Sequence, residues 1–293
     1  MDYYSEFGDG QSTSDCQSIG AIPNTDLGDQ LRNETQSRSA AQSQISSEAN
    51  KKETSPDCAR LTAECIAYYG RYVDLRRARQ RLELQGMAMC RSLCGGDKTE
   101  GAKLYKKPTP EVEIWLEPYS MAMAPLDARI KDHEKHLTKL GSQFHVKEWL
   151  GSVNGLSPRF LAMIVGEAGT GPGDFKSVSA LWKRMGLAVI NGERQRRVTG
   201  DMAIIHGYVA RRRSLMWNIG ESIIKQQVRN PKGDDGKPLG EAQAIGYFGQ
   251  VYLERKAYEL ARTDDVTPML AHNRAKRYME KRLLRELWKA WRR

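Results

Sequence analysis

The segment Val153-Asn154-Gly155-Leu156-Ser157-Pro158-Arg159-Phe160 leads into an apolar run that ends at Glu167. Its residue types suit phosphate binding. Gly155 allows a sharp turn and a close approach of backbone to backbone. Ser157 can cap the following helix, and Pro158 suits that helix's first position. The helix start would then offer free N–H groups to a DNA phosphate, beside Arg159, without reading base sequence. This is a helix-hairpin-helix signature. The same letters also fit an ordinary tight turn between two helices.

Three other groups invite chemistry and carry less. Cys90, Cys94, His133 and His136 could ligate zinc, but their spacing is not a standard one. If the two helices that hold them pair as a hairpin, cysteines and histidines end on the order of 30 Å apart. Residues 169–177 (GTGPGDFKS) resemble a phosphate loop without its Gly-Lys-Ser/Thr ending, and they sit between helical stretches rather than after a strand. His206, before Gly207, could act as a general base, although a histidine at a helix boundary is more often structural. No metal or cofactor is expected.

The elements that would position these residues emerge from charge and periodicity. The 293 residues carry a formal net charge of +10, unevenly spread: residues 1–55 hold nine acidic and four basic side chains, and the remainder nets +15. A basic body suits a polyanionic partner. Residues 1–55 are rich in Ser, Gln, Asn, Asp, Thr and Gly, with no aromatic between Phe7 and Tyr68. Such a segment buries too little apolar surface to offset its ordering entropy, so a disordered acidic tail is expected. No run of eighteen apolar residues and no secretory signal is visible. Five cysteines, an odd count, fit reduced thiols and a cytoplasmic location.

From Asp57 the pattern turns helical. Leu61, Cys65, Tyr68, Tyr72, Leu75, Ala78, Leu82 and Met89 recur at helical spacing beside Arg71, Arg76, Arg77, Arg79 and Arg81, which predicts one amphipathic helix to about Leu93. A second helix is expected over residues 111–141, with breaks at Pro118 and Pro125. The two would form a helical hairpin or coiled-coil arm over residues 56–145, suited to homodimerisation, though a plain helical subdomain fits equally. Asn230–Gly240 has loop composition. Helices are expected over 247–262 and from Pro268 to the end. Residues 272–293 hold nine Lys or Arg and only Glu280 and Glu286 as acids. Their apolar stripe (Ala275, Tyr278, Met279, Leu283, Leu287, Trp288, Trp291) would bury while Arg274, Arg277, Arg282 and Arg285 reach outward toward phosphates.

The hairpin is followed by Glu167, then Phe175-Lys176-Ser177, Leu181 and Gly186-Leu187, a polar loop, Gly207, and Arg211-Arg212-Arg213, and the chain closes on the basic helix above. In this order and spacing, residues 146–293 resemble the C-terminal domain of the DEDD-type insertion-sequence transposases, the family associated with a bridging guide RNA. Two departures matter. That family's RuvC-like nuclease domain, with four acidic metal ligands, has no counterpart among the tail and helices here. Its serine nucleophile, in the loop after Gly-Leu, is also missing. The corresponding residues 188–205 (AVINGERQRRVTGDMAII) contain no serine, and Thr199 is their only hydroxyl. Asn191-Gly192 can occupy the Ser-Gly site, or Glu193 or Arg194 in a gapless match. The cations Arg194, Arg196 and Arg197 remain.

The expectation is therefore an all-α protein with three parts: a disordered tail (1–55), a helical arm (56–145) and a transposase-like helix-hairpin-helix domain (146–293). It would bind duplex DNA through Gly155, Ser157, Arg159, Arg184, Arg194, Arg196, Arg197, Arg211, Arg212, Arg213, Arg282 and Arg285, without catalysis of its own. The alternatives are an active transposase or recombinase, using Thr199 or a partner's nuclease, and an accessory protein that binds structured RNA.

Overall fold

The computed structural model describes residues 56–231, 240–262 and 266–293. The expected disordered tail and most of the 230–240 loop lie outside the described residues. The fold is all-α, with only two two-residue antiparallel strand pairs among the described residues.

Helix α1 (Pro56–Leu93) is unbroken for 38 residues, as its periodicity predicts. It carries Asp57 in its first turn and Arg91 in its last, both favourable to the helix dipole. A short helix α2 (Lys98–Lys106) follows, capped by Asp97, whose carboxylate accepts from the N–H groups of Thr99 (2.7 Å) and Glu100 (2.9 Å). Helix α3 (Pro110–Gln143) then returns along α1. The expected interruptions at Pro118 and Pro125 are absent, and both prolines lie within one continuous, solvent-exposed stretch of helix. A side open to water tolerates the lost N–H bonds and lets the helix bend away from the ring.

The arm's register is antiparallel. Arg79 pairs with Asp127 (3.2 Å), Tyr72 donates to Glu134 (3.1 Å), and Tyr68 stacks on His136 with ring centres 3.8 Å apart. The apolar stripe differs from expectation. Tyr69 and Val73 are buried, whereas Tyr68, Tyr72, Leu75, Ala78, Leu82 and Met89 are half-buried. The reason is that α1 serves two neighbours. One side faces α3 along the arm, and the line Cys58-Leu61-Cys65-Tyr69-Val73 enters the main core at its base.

That core is built on α5 (Pro158–Ala168), which follows the five-residue α4 (Lys147–Gly151), and it is continuous with the base of the arm. The Cys65 thiol donates to the Ala162 carbonyl (3.0 Å), and the Tyr69 ring lies directly on Gly166, where a Cβ would sit 2.4 Å from ring carbon Cγ. Helix α6 (Val178–Arg184) and a 3-10 turn (Pro172–Asp174) precede a hairpin of β1 (Val189–Ile190) and β2 (Glu193–Arg194). Next come α7 (Asp201–His206), α8 (Ala210–Gln227), the strand pair β3 (Val228–Arg229) and β4 (Gln243–Ala244), α9 (Tyr247–Arg262) and α10 (Pro268–Trp291).

The last helix is central rather than peripheral. It packs against α6, α8, α9 and the 3-10 turn, and buries Ala271, Ala275, Met279, Leu283, Leu284, Leu287 and Trp291. Two tryptophans lock the 170–182 segment to it. Trp182 donates to the Lys281 carbonyl (3.0 Å), and Trp288 to the Phe175 carbonyl (3.1 Å). Gly171 and Gly173 lie against Trp291, so GTGPGDFKS is a packing turn.

Candidate nucleic-acid interface

The centre of the candidate site is Glu167, near the end of α5. Its side chain is 0% exposed and gathers three partners. Tyr69 of α1 donates to Oε1 (2.7 Å), and burial pushes the Tyr69 phenol well above its ordinary range. Arg211 of α8 grips both carboxylate oxygens, and Arg212 Nε lies 3.4 Å from Oε2. The hydrogen bond to Glu167 holds Arg211 firmly protonated; burial, then the neighbouring Arg184, works against Arg212. Arg184, at the end of α6, donates from Nε to the Ala168 (2.9 Å) and Glu167 (3.2 Å) carbonyls and so covers the α5 C-terminus.

One residue further along α8, Arg213 NH1 lies 2.7 Å from Glu280 of α10. Burial raises the Glu280 carboxyl pKa, and the charges of Arg213, Lys276 and Arg277 oppose that rise. Arg277 does not reach outward as expected: its guanidinium donates to the carbonyls of Ala188 (3.1 Å) and Gly186 (3.4 Å). Arg194 lies close enough to Arg277 to disfavour its charge. Arg211, Arg212, Arg213 and Arg277 thus gather at two buried carboxylates, with Arg184 and Arg194 beside them. Arg211 keeps 40% of its side chain exposed, so solvent can reach it.

The location of these cations is unusual. Arg211, Arg212 and Arg213 occupy the first turn of an 18-residue helix whose N-terminus has no side-chain cap. The positive end of a helix dipole disfavours cations and leaves N–H groups free. The fold holds the arginines there with Glu167 and Glu280. Here the N–H groups of Arg212 and Arg213 donate to the Val209 carbonyl (3.1 and 3.4 Å), so what the first turn concentrates is positive charge, which suits an anion such as phosphate.

The 188–206 loop borders this cluster. Its turn is Asn191-Gly192, both at positive φ (51° and 79°), a two-residue hairpin with Ile190 opposite Glu193. Gln195 holds it to the body. This buried side chain accepts from Ala188 N–H (3.1 Å) and donates to the carbonyls of Lys183 (3.0 Å) and His206. Buried His206 accepts from Arg196 N–H through Nδ1 (3.4 Å), a structural role. Arg194, Arg196 and Arg197 are all exposed, and Arg196 pairs with Glu193 (3.0 Å). Thr199 is exposed too, and its hydroxyl has no hydrogen-bond partner among the described residues.

The Gly155 turn lies elsewhere. It packs on the far end of α8, about 18 Å from Arg211 at 1.5 Å per residue. Gly155 has φ 92°, and a Cβ there would sit 2.7 Å from the Ile223 Cα; Ser222 donates to its carbonyl (2.8 Å). Its smallness therefore serves helix packing. Ser157 caps α5 as expected, accepting from Phe160 N–H (3.3 Å). Arg159 pairs with Glu134 of α3 (3.0 Å) beside a shallow groove lined also by Lys131, Lys135 and Thr138. Arg282 donates to the Tyr278 hydroxyl, and Arg285 lies 3.8 Å from Glu286. These residues do not join the Arg211 cluster.

Among the described residues, no group of three His, Cys, Asp or Glu side chains could hold a metal ion. His133 and His136 flank Tyr68, 22 residues below Cys90 on α1, about 33 Å along the helix. The four described cysteines are free thiols. No described helix is long and apolar enough to cross a membrane.

Two contributors escape a reading of the sequence alone: Gln195, an uncharged residue hidden in an arginine run, and the Tyr69–Glu167 bond. The Asn-Gly hairpin had a signal, since that dipeptide favours positive φ at both positions. No family model matches this chain, and neither curated proteins nor solved structures yield a match.

Proposed function

We propose that the protein binds the phosphate backbone of duplex DNA through the arginine face at the start of α8 and the adjoining 188–206 loop. The carrying observation is the set of three consecutive arginines in the first turn of an uncapped helix, held against its dipole by buried Glu167 and Glu280. Local rules are broken at such sites when a ligand benefits. The exposed Arg194 and Arg197 extend the positive surface.

A role in DNA transposition or recombination, in the cytoplasm, rests on the resemblance of residues 146–293 to the DEDD-type transposases. The retained arginines and the missing serine favour binding without independent strand chemistry. The test is fluorescence anisotropy of labelled duplex DNA and of a structured RNA of equal length, over a range of salt concentrations. Duplex binding that weakens linearly with log salt is expected. Preference for RNA would move the function to RNA, and salt-insensitive or absent binding to both would overturn the proposal.

A further inference from the structure

We propose that the outer face of α3 is an interface between two copies of this chain, packed antiparallel about a two-fold axis at Met121. The proposal does not depend on the nucleic-acid reading.

Ile114, Pro118, Met121, Pro125 and Ala128 follow one another at spacings of four, three, four and three, which places them on one helix face. All five are exposed. Ile114 is 70% and Met121 67% exposed, and Trp115 beside them is 66% exposed. From Pro118 through Leu126 no residue is charged, and exposed Glu117, about 40° from Met121, is the one charged residue of the face between Ile114 and Ala128. The opposite side of α3 is the one engaged with the rest of the chain, through buried Val112, Ile130 and Leu137 and the Arg79–Asp127 pair. Scattered apolar residues on a surface are ordinary, but an apolar stripe along a projecting helix, with a single charged residue inside it, marks a contact surface.

Charge identifies the occupant. Glu111 and Glu113 stand before the stripe, and Arg129 and Lys131 at its far end. All four are exposed, and none has an ion-pair partner among the described residues. At 100° per residue, with Met121 at the centre of the face, Glu111 and Arg129 fall about 80° to one side, and Glu113 and Lys131 about 80° to the other. A two-fold axis through Met121 brings each residue beside those equally far along the chain in the other direction, on the same flank. Glu111 then meets Arg129, and Glu113 meets Lys131, each about 3 Å from level. The same operation sets Ile114 against Ala128, a large side chain opposite a small one. A parallel pair would instead align Glu with Glu and Arg with Arg. The face is thus complementary to an inverted copy of itself.

The test uses the full chain in sedimentation velocity across a wide concentration range, where a monomer–dimer equilibrium is expected. Glu111→Lys with Glu113→Lys should raise the dimer Kd about tenfold or more, as should Arg129→Glu with Lys131→Glu. The variant carrying all four changes should recover the wild-type Kd, because every contact is swapped at once. Met121→Asp should leave a monomer. Far-UV circular dichroism matching wild type confirms that each variant is folded, as expected for exposed positions. A wild-type chain that remains monomeric, charge reversals without effect, or a four-fold variant no better than either pair would overturn the proposal.

Discussion

The Glu167 carboxylate receives both prongs of the Arg211 guanidinium from a helix 44 residues further along the chain, while Tyr69 of α1 donates to the same carboxylate. One buried acid therefore ties the base of the arm to the start of α8 and holds Arg211 and Arg212 in the basic cluster, while Glu280 holds Arg213.

Replacing Glu167 with Gln keeps an acceptor for Tyr69 but leaves Arg211 and Arg212 without a counter-charge. Stability should fall by about 3 kcal/mol, the low end for a broken buried pair, because Arg211 is partly solvated. Urea denaturation followed by circular dichroism measures this. A loss below about 0.5 kcal/mol, the level of an ordinary surface change, would show that the carboxylate does not hold the helices together.

Gly155→Ala should be destabilising by about 2 kcal/mol or more, since the new Cβ meets the α8 backbone and φ stays positive. The turn packs on α8, and no phosphate contact is expected from it. Where the variant remains folded, the salt dependence of duplex binding should match wild type. A changed salt slope in a folded variant would return the turn to the binding surface.

Changing Arg194, Arg196 and Arg197 together to Ala should flatten the dependence of log affinity on log salt by up to roughly 0.9 per lost phosphate contact. Arg196 should contribute least, being paired with Glu193. Thr199→Ala should leave affinity unchanged. A covalent protein–DNA adduct in wild type that disappears in Thr199→Ala would instead make this hydroxyl a nucleophile.

His272 predicts an acid-side loss of stability. Burial, and then the Lys276 charge, lower its pKa below the ordinary histidine value, against the pull of Glu221. Its Nδ1 also lies 2.8 Å from the Tyr252 hydroxyl, and Lys256 adds a further positive charge. The unfolded chain thus takes up this proton first as pH falls below about 6.5, and folded stability declines from there toward the folded pKa. Melting temperature should drop between pH 6.5 and 5 in wild type, and drop less in His272→Gln. Parallel curves would remove His272 as the source.

The sequence by itself determined the helices. Periodicity, prolines and caps are short-range signals, so α1, α9 and α10 run where their patterns put them, and Ser157 caps α5 from its own turn. It also concentrated basic residues outside the first 55. Only the tertiary structure decided which of those charges stay available. Arg213 and Arg277 look as free in the sequence as Arg194 and Arg197, but Glu280 and the Ala188 carbonyl reach them from segments far along the chain. Likewise Tyr69 enters the core and Tyr68 does not, because α1 meets α5 at its base as well as α3. Helical spacing shows which residues share a face. Which faces meet, and which cation finds a carboxylate there, follows from long-range packing that local pattern does not encode.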